Sequence, residues 1–185
     1  MLFRSHGLAR EATPETYKYL QLQYPEIIPT FLFVTDGYNF RNDELSAILG
    51  LEQINNLDKF IQIRNKNYSG YHNLISKYPN LFYVPSISEN MSSFTLPFVC
   101  KNKKTYNLLI QEFSNNNIEY RPLVAGNLLR QPFLKNYSFS YDKESYNVDI
   151  IHDLGMYIGN SQFIGEKHIK LLSDILEKVS ANAQD

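Results

Sequence analysis

The sequence predicts an α+β fold, and three observations carry the prediction. Between residues 42 and 77 apolar positions recur at three- and four-residue steps; from residue 81 the period shortens to that of strands; and the chain closes on one more amphipathic stretch. The expected arrangement is a helical segment followed by a small strand–helix–strand domain, with residues 1–80 forming one part and 81–185 the other.

Residues 1–36 hold Pro14, Pro25 and Pro29 among many aromatics, so any helix there is short. One is expected over residues 14–22, entered through Thr13 as cap with Pro14 at the first helical position. The leading "MLFRSHGLARE" lacks the apolar core of a signal peptide and reads as the tail of an element that begins upstream. From 42 to 77 the periodic set is Leu45, Ile48, Leu49, Ile54, Leu57, Phe60, Ile61, Tyr68, Tyr71 and Ile75. Asn42 is the expected N-cap, and Asp43 and Glu44 suit the positive end of the helix. Gly50 and the pair Asn55 and Asn56 predict a kink or break.

Beyond residue 81, "LFYVP" and "SFTLPFVC" read as strands, "TYNLLIQEFSNNN" as a helix and "IEYRPL" as a further strand. After Pro132 a short helix is expected over 148–154, then a strand "MYIG" and a closing helix "GEKHIKLLSDILEKV" with Ile169, Leu172, Ile175, Leu176 and Val179 on one face.

A chain that is 43% hydrophobic and 20% charged falls among globular proteins. Its net charge of −1 leaves no basic footprint for nucleic acid, and "KNKK" at 101–104 reads as a solvated turn. The absence of a long apolar run argues against a membrane span, and the single cysteine, Cys100, is compatible with a reducing cytoplasm and reads as a small core hydrophobe. His6, His72, His152 and His168 share no metal-ligand spacing, so surface or capping roles are expected and no metal site. No nucleophile elbow, Walker loop or dinucleotide fingerprint is present in the sequence.

Two stretches carry more chemistry. "GYNFR" at 37–41 sets Asn39 and Arg41 before a helix N-terminus, a place that favours anions; an asparagine that merely bonds its own backbone is the alternative, and the residues alone favour that turn. "RPLVAGNLLRQPF" at 121–133 sets Arg121, Asn127 and Arg130 around an Ala-Gly turn. A solvated loop is one reading; a site for a polyhydroxylated or phosphorylated ligand, met by guanidinium forks, is the other.

The order "RSHGLARE", "GYNFRNDELSAILGLEQINNLDKFIQIRNKNYSGY", then a strand–helix–strand domain with "RPLVAGNLLRQPF", resembles the C-terminal half of the DegT/DnrJ/EryC1/StrS family of sugar aminotransferases, which depend on pyridoxal phosphate. "AGNLLRQP" looks like the branch of nucleotide-sugar 3-dehydratases of lipopolysaccharide synthesis. The resemblance implies the C-terminal part of a fold-type-I pyridoxal-phosphate-dependent transferase, with long interface helices ahead of the small domain. It implies that Asn39 reaches a cofactor phosphate (pyridoxal or pyridoxamine phosphate) across a dimer interface, that Arg41 lies at that interface near the sugar nucleotide, and that Arg121 and Asn127 face a nucleotide-linked keto-sugar. Arg64 matches a family arginine of structural role.

The family's Schiff-base lysine, or the dehydratases' histidine, would lie upstream of "RSHG", so the resemblance implies no catalytic residue in this chain and silence without an N-terminal half. Pairing with such a half, or homodimerisation, predicts an exposed apolar face on the 45–75 helices and around Phe3, Phe31 and Phe33. The alternative is a non-catalytic remnant that dimerises through the same helices.

Overall fold

The computed structural model describes residues 6–38, 43–88, 91–140 and 146–183. Six α-helices and three strands are formed by these residues: α1 Pro14–Gln23, α2 Glu44–Ile54, α3 Leu57–Ile75, β1 Thr95–Val99, α4 Lys103–Asn115, β2 Tyr120–Pro122, α5 Tyr146–Leu154, β3 Gly155–Gly159 and α6 Glu166–Ala183. The chain divides into two compact units, one of Met1–Leu49 with Val124–His152 and one of Gly50–Leu123 with Asp153–Asp185. The units are interleaved in sequence.

The larger unit is built on an antiparallel sheet of order β1-β3-β2. β1 and β2 each run antiparallel to β3, so they are parallel to one another, and α4 makes the crossover between them. Alternation decides which side faces inward: Leu96 and Phe98 of β1 are buried while their neighbours are half-buried, and Phe98 lies opposite buried Met156. Onto these side chains pack Tyr68, Tyr71, Leu74 and Ile75 of α3, Leu109 and Phe113 of α4, and Leu172, Ile175, Leu176 and Val179 of α6. Phe98 is the hub, with edge-to-face contacts to Tyr71, Phe82 and Phe113. The Tyr71 hydroxyl donates to the Pro97 carbonyl, which settles the polar end of an otherwise buried ring. Cys100 is fully buried and its thiol is pushed up to about 12 by desolvation, so it acts as the core hydrophobe expected of it.

Caps explain where the helices begin. Thr13 Oγ1 accepts from Thr16 N at 3.3 Å with Pro14 following, as expected. Asn102 Oδ1 accepts from Thr105 N at 2.8 Å, so α4 starts inside "KNKK", where the sequence predicts a turn. At α2 the cap is Asp43, whose carboxylate accepts from Ser46 N at 2.8 Å and from the Ser46 hydroxyl at 3.0 Å; Asn42, the expected cap, lies outside the described residues. The helix breaks at Asn55 and Asn56 and runs straight through Gly50. "LFYVP" is not a regular strand: Phe82 makes an isolated bridge to Cys100, and Tyr83 N bonds Val99 O at 2.9 Å.

The smaller unit has a modest core of Ala9, Ile27 and Leu32, lined by Tyr17, Leu20, Tyr24 and Val34. Ala9 N donates to Leu32 O at 2.8 Å and Val34 N to Gly7 O at 3.0 Å, tying two extended passages together. Gly7 has a φ of +75°, and a Cβ there would lie 1.7 Å from Thr35 O, so no other residue fits. Segment 124–152 joins this core through Gln131, which is 1% exposed. Its Oε1 accepts from Phe33 N at 3.1 Å, and its Nε2 donates to Phe31 O and Ala125 O, both at 3.2 Å.

Candidate functional site

The "AGN" stretch of the smaller unit forms a left-handed turn, with φ of +59° at Ala125 and +55° at Gly126. Glycine takes this conformation freely, and alanine only when its surroundings impose it. Three groups do so. Gln131 holds the Ala125 carbonyl, as described. His152 Nδ1 accepts from Asn127 N at 3.0 Å, and the turn lies so close to the imidazole that a Cβ on Gly126 would come within 2.3 Å of Nδ1. Asp149, one turn before His152 on α5, accepts from Asn127 Nδ2 at 2.8 Å and from Arg130 Nη2 at 2.6 Å.

Asn127 is 6% exposed and its side chain is committed on both sides. Oδ1 accepts from Leu129 N at 3.0 Å, capping a single 3-10 turn over Leu128–Arg130, while Nδ2 serves Asp149. Hydrogen bonding from Asn127, reinforced by Arg130, holds the Asp149 carboxyl below the usual carboxylate range against the opposing effect of desolvation. Because the Asn127 N–H can only donate, the neutral His152 imidazole carries its proton on Nε2.

Arg121 belongs to the larger unit, on β2 opposite Tyr157. Its Nε and Nη2 donate to Glu119 Oε1 at 3.2 and 3.0 Å, and this carboxylate raises the already high pKa of the guanidinium. Both side chains are exposed, at 57% and 78%, so the pair is weak and the guanidinium can exchange Glu119 for another anion. Arg121, Tyr157, Ser161 and His168 edge a cleft of about 480 Å³ whose floor includes Leu96 and Leu172. His168 Nδ1 accepts from Gly165 N at 3.1 Å at the entry to α6, so two of the four histidines act as acceptors for backbone amides. Arg64 Nε donates to Ser92 Oγ at 3.0 Å, a structural contact.

The residues singled out from sequence therefore have different surroundings. Asn39 and Arg41 lie outside the described residues. Asn127 and Arg130 come together on Asp149 in one unit, and Arg121 stands in the other. The sequence passes over Asp149 and Gln131 and reads His152 only as a surface or capping group; the three-residue spacing of Asp149 and His152 on a predicted helix puts both on one face and was the available signal. Among the described residues no cluster of three or more His, Cys, Asp or Glu side chains could hold a metal, and no helix is long and apolar enough to cross a membrane.

A pyridoxal phosphate cofactor can be tested against residues 37–46. The N-terminus of α2 is already closed by the Asp43 carboxylate, which its bonds to Ser46 hold below its ordinary pKa. Residues 39–42, which would meet the phosphate, lie outside the described residues.

Comparison with known proteins agrees with the fold. The chain is 30% identical over 181 residues to the GDP-4-keto-6-deoxy-D-mannose 3-dehydratase of Yersinia pseudotuberculosis, a match covering 96% of this chain and 46% of that protein. The crystal structure of the corresponding Escherichia coli enzyme with bound hydrated PLP superposes with a TM-score of 0.66 at 27% identity, covering 94% of this chain and 45% of that one. An aminotransferase from Psychrobacter cryohalolentis, at 16% identity and a TM-score of 0.65 over 99% of this chain and 48% of its own, shares the fold. The chain thus spans about half the length of the curated relatives it matches. The sequence model of the DegT/DnrJ/EryC1/StrS aminotransferase family matches residues 1–161, and the chain belongs to that family.

Proposed function

We propose that this chain is the C-terminal portion of a pyridoxal-phosphate-dependent nucleotide-sugar enzyme, an aminotransferase or 3-dehydratase of lipopolysaccharide sugar biosynthesis, which works in the cytoplasm when an N-terminal half completes the site. The observation that carries this reading is α2. Leu45, Ile48, Leu49, Leu51 and Ile54 are all exposed, Leu45 to 75%, and among the described residues this helix buries none. So apolar a helix is stable in water only when another surface covers it. The face is narrower than expected: Tyr68, Tyr71, Leu74 and Ile75 of α3 fill the core of their own unit, Phe31 and Phe33 are half-buried, and Phe3 lies outside the described residues.

In this reading α2 docks on the half of the relatives' length that the chain does not span. Bound pyridoxal phosphate supplies an electron sink for chemistry at the sugar, with the lysine or histidine that moves the proton on the other half. The contributions of this chain are to bind and orient. Asn39 holds the cofactor phosphate across the interface, Arg41 lies at that interface near the sugar nucleotide, and Arg121 and Asn127 serve as substrate-binding residues. The GDP-sugar activity of the relatives makes a GDP-linked keto-sugar the substrate class of choice.

The test is co-expression with the N-terminal half of the Yersinia enzyme. A purified pair with the visible absorbance of bound pyridoxal phosphate, lost on Asn39→Ala, is the expected result; absence of colour in the purified pair would overturn the reading. The same exposed helix also favours a second reading, a non-catalytic module that dimerises through α2, and this would give a dimer without colour.

A further inference from the structure

We propose that Asp149 and His152 are positioning residues: from one face of α5 they lock residues 125–130 into a turn that these residues would not adopt alone, so that the loop is ready-made when ligand arrives. The proposal deepens the functional reading above and rests on it for the identity of the ligand, a nucleotide-linked sugar.

Ala125 pays a steric penalty at φ +59°, and a loop free to relax would leave that region. It is over-determined instead. His152 fixes the backbone of Asn127, and Asp149 fixes both the Asn127 amide and the Arg130 guanidinium, so both ends of the 3-10 turn refer to α5. The Gly126 backbone rests against the imidazole with no room for a side chain, so ring and turn can only be placed together. Backbone strain upheld by several converging hydrogen bonds recurs where a loop must present fixed geometry to a ligand. Asp149 and His152 need not touch that ligand.

Protonation of the imidazole gives a direct handle. A proton on Nδ1 removes the acceptor for Asn127 N–H, and two donors then face each other. Asp149, on the same helix, is electrostatically coupled to the ring, and its carboxylate also holds Arg130.

The experiment is amide hydrogen exchange by NMR on the full chain, read at Asn127 with core amides such as that of Leu176 as internal controls. Protection is expressed relative to intrinsic rates at each pH. The expected result is protection in the wild type that falls about three- to tenfold, the worth of one hydrogen bond, once acid protonates the imidazole. His152→Ala should lose that protection at every pH. His152→Asn, whose amide oxygen can stand in for Nδ1, should keep it and show no acid transition. Unchanged protection in His152→Ala, or its loss in His152→Asn, would overturn the proposal. The readout involves no ligand, so it fails or succeeds independently of the cofactor-colour experiment.

Discussion

The two units balance apolar packing against buried amides in different proportions. The larger concentrates aromatic and aliphatic side chains from three helices and a sheet around Phe98, and its stability follows from apolar area removed from water. The smaller clusters only Ala9, Ile27 and Leu32 and so leans more on buried amides, Gln131 and Asn127, that join stretches far apart in sequence, a device the larger unit also has in Asn67 and Asn160. A dense core tolerates loss of one polar group and resists loss of volume; a polar clasp behaves the other way. The loop with the strained turn belongs to the clasped unit.

The comparison breaks first at Phe98. Phe98→Ala should cost about 3–5 kcal/mol by removing the ring on which three others pack, and should accelerate exchange at Leu109 and Leu176 amides. A loss below about 1 kcal/mol in urea denaturation would mean that the core is not organised around that ring. Next comes Gln131→Leu, similar in size but unable to serve Phe33 N, Phe31 O and Ala125 O, with an expected cost of about 2–3 kcal/mol. Its signature is local: faster exchange at Ala9 and Val34, whose bonds close the small core. Equal loosening in both units would erase the distinction.

The smallest effect is expected at Asp149. Its side chain and that of Arg130 are 44% and 30% exposed, so solvent screening limits the pair to about 1 kcal/mol or less. Since the folded carboxyl titrates below its ordinary 3.8, its contribution is complete above that value and is lost as pH falls through the lowered folded pKa. Asp149→Asn should therefore be slightly less stable than wild type at neutral pH, with the gap closing in acid. A constant gap in urea midpoints from pH 7 to 2.5 would show that the charge contributes nothing.

Local physics made most elements legible. Proline and a hydroxyl announce α1, the paired asparagines mark the end of α2, and alternation around Phe98 gives β1. The family could also be recognised from "GYNFR" and "AGNLLRQP". The interleaved units were not legible. The bonds that return segment 124–152 to residues 31–33 run from one glutamine side chain across roughly a hundred residues, and no periodicity encodes them. The partners of Asn127 escaped for the same reason: Asp149 and His152 lie 22 and 25 residues on. Nothing local announces that the Asn127 side chain bonds Asp149 on one side and Leu129 N on the other. "LFYVP" shows the reverse error, strand-like composition that yields one bridge.

The order β1-β3-β2 bears on how the protein is made. The middle strand is the last to be synthesised, so on the ribosome β1 and β2 emerge with no neighbour and must wait for residues 155–159. Until then Leu96 and Phe98 have no strand beside them, and two unpaired edges are open to other chains. Slow translation between residues 122 and 155 would lengthen that interval, and the yield of soluble chain should depend on it as much as on the stability of the finished fold.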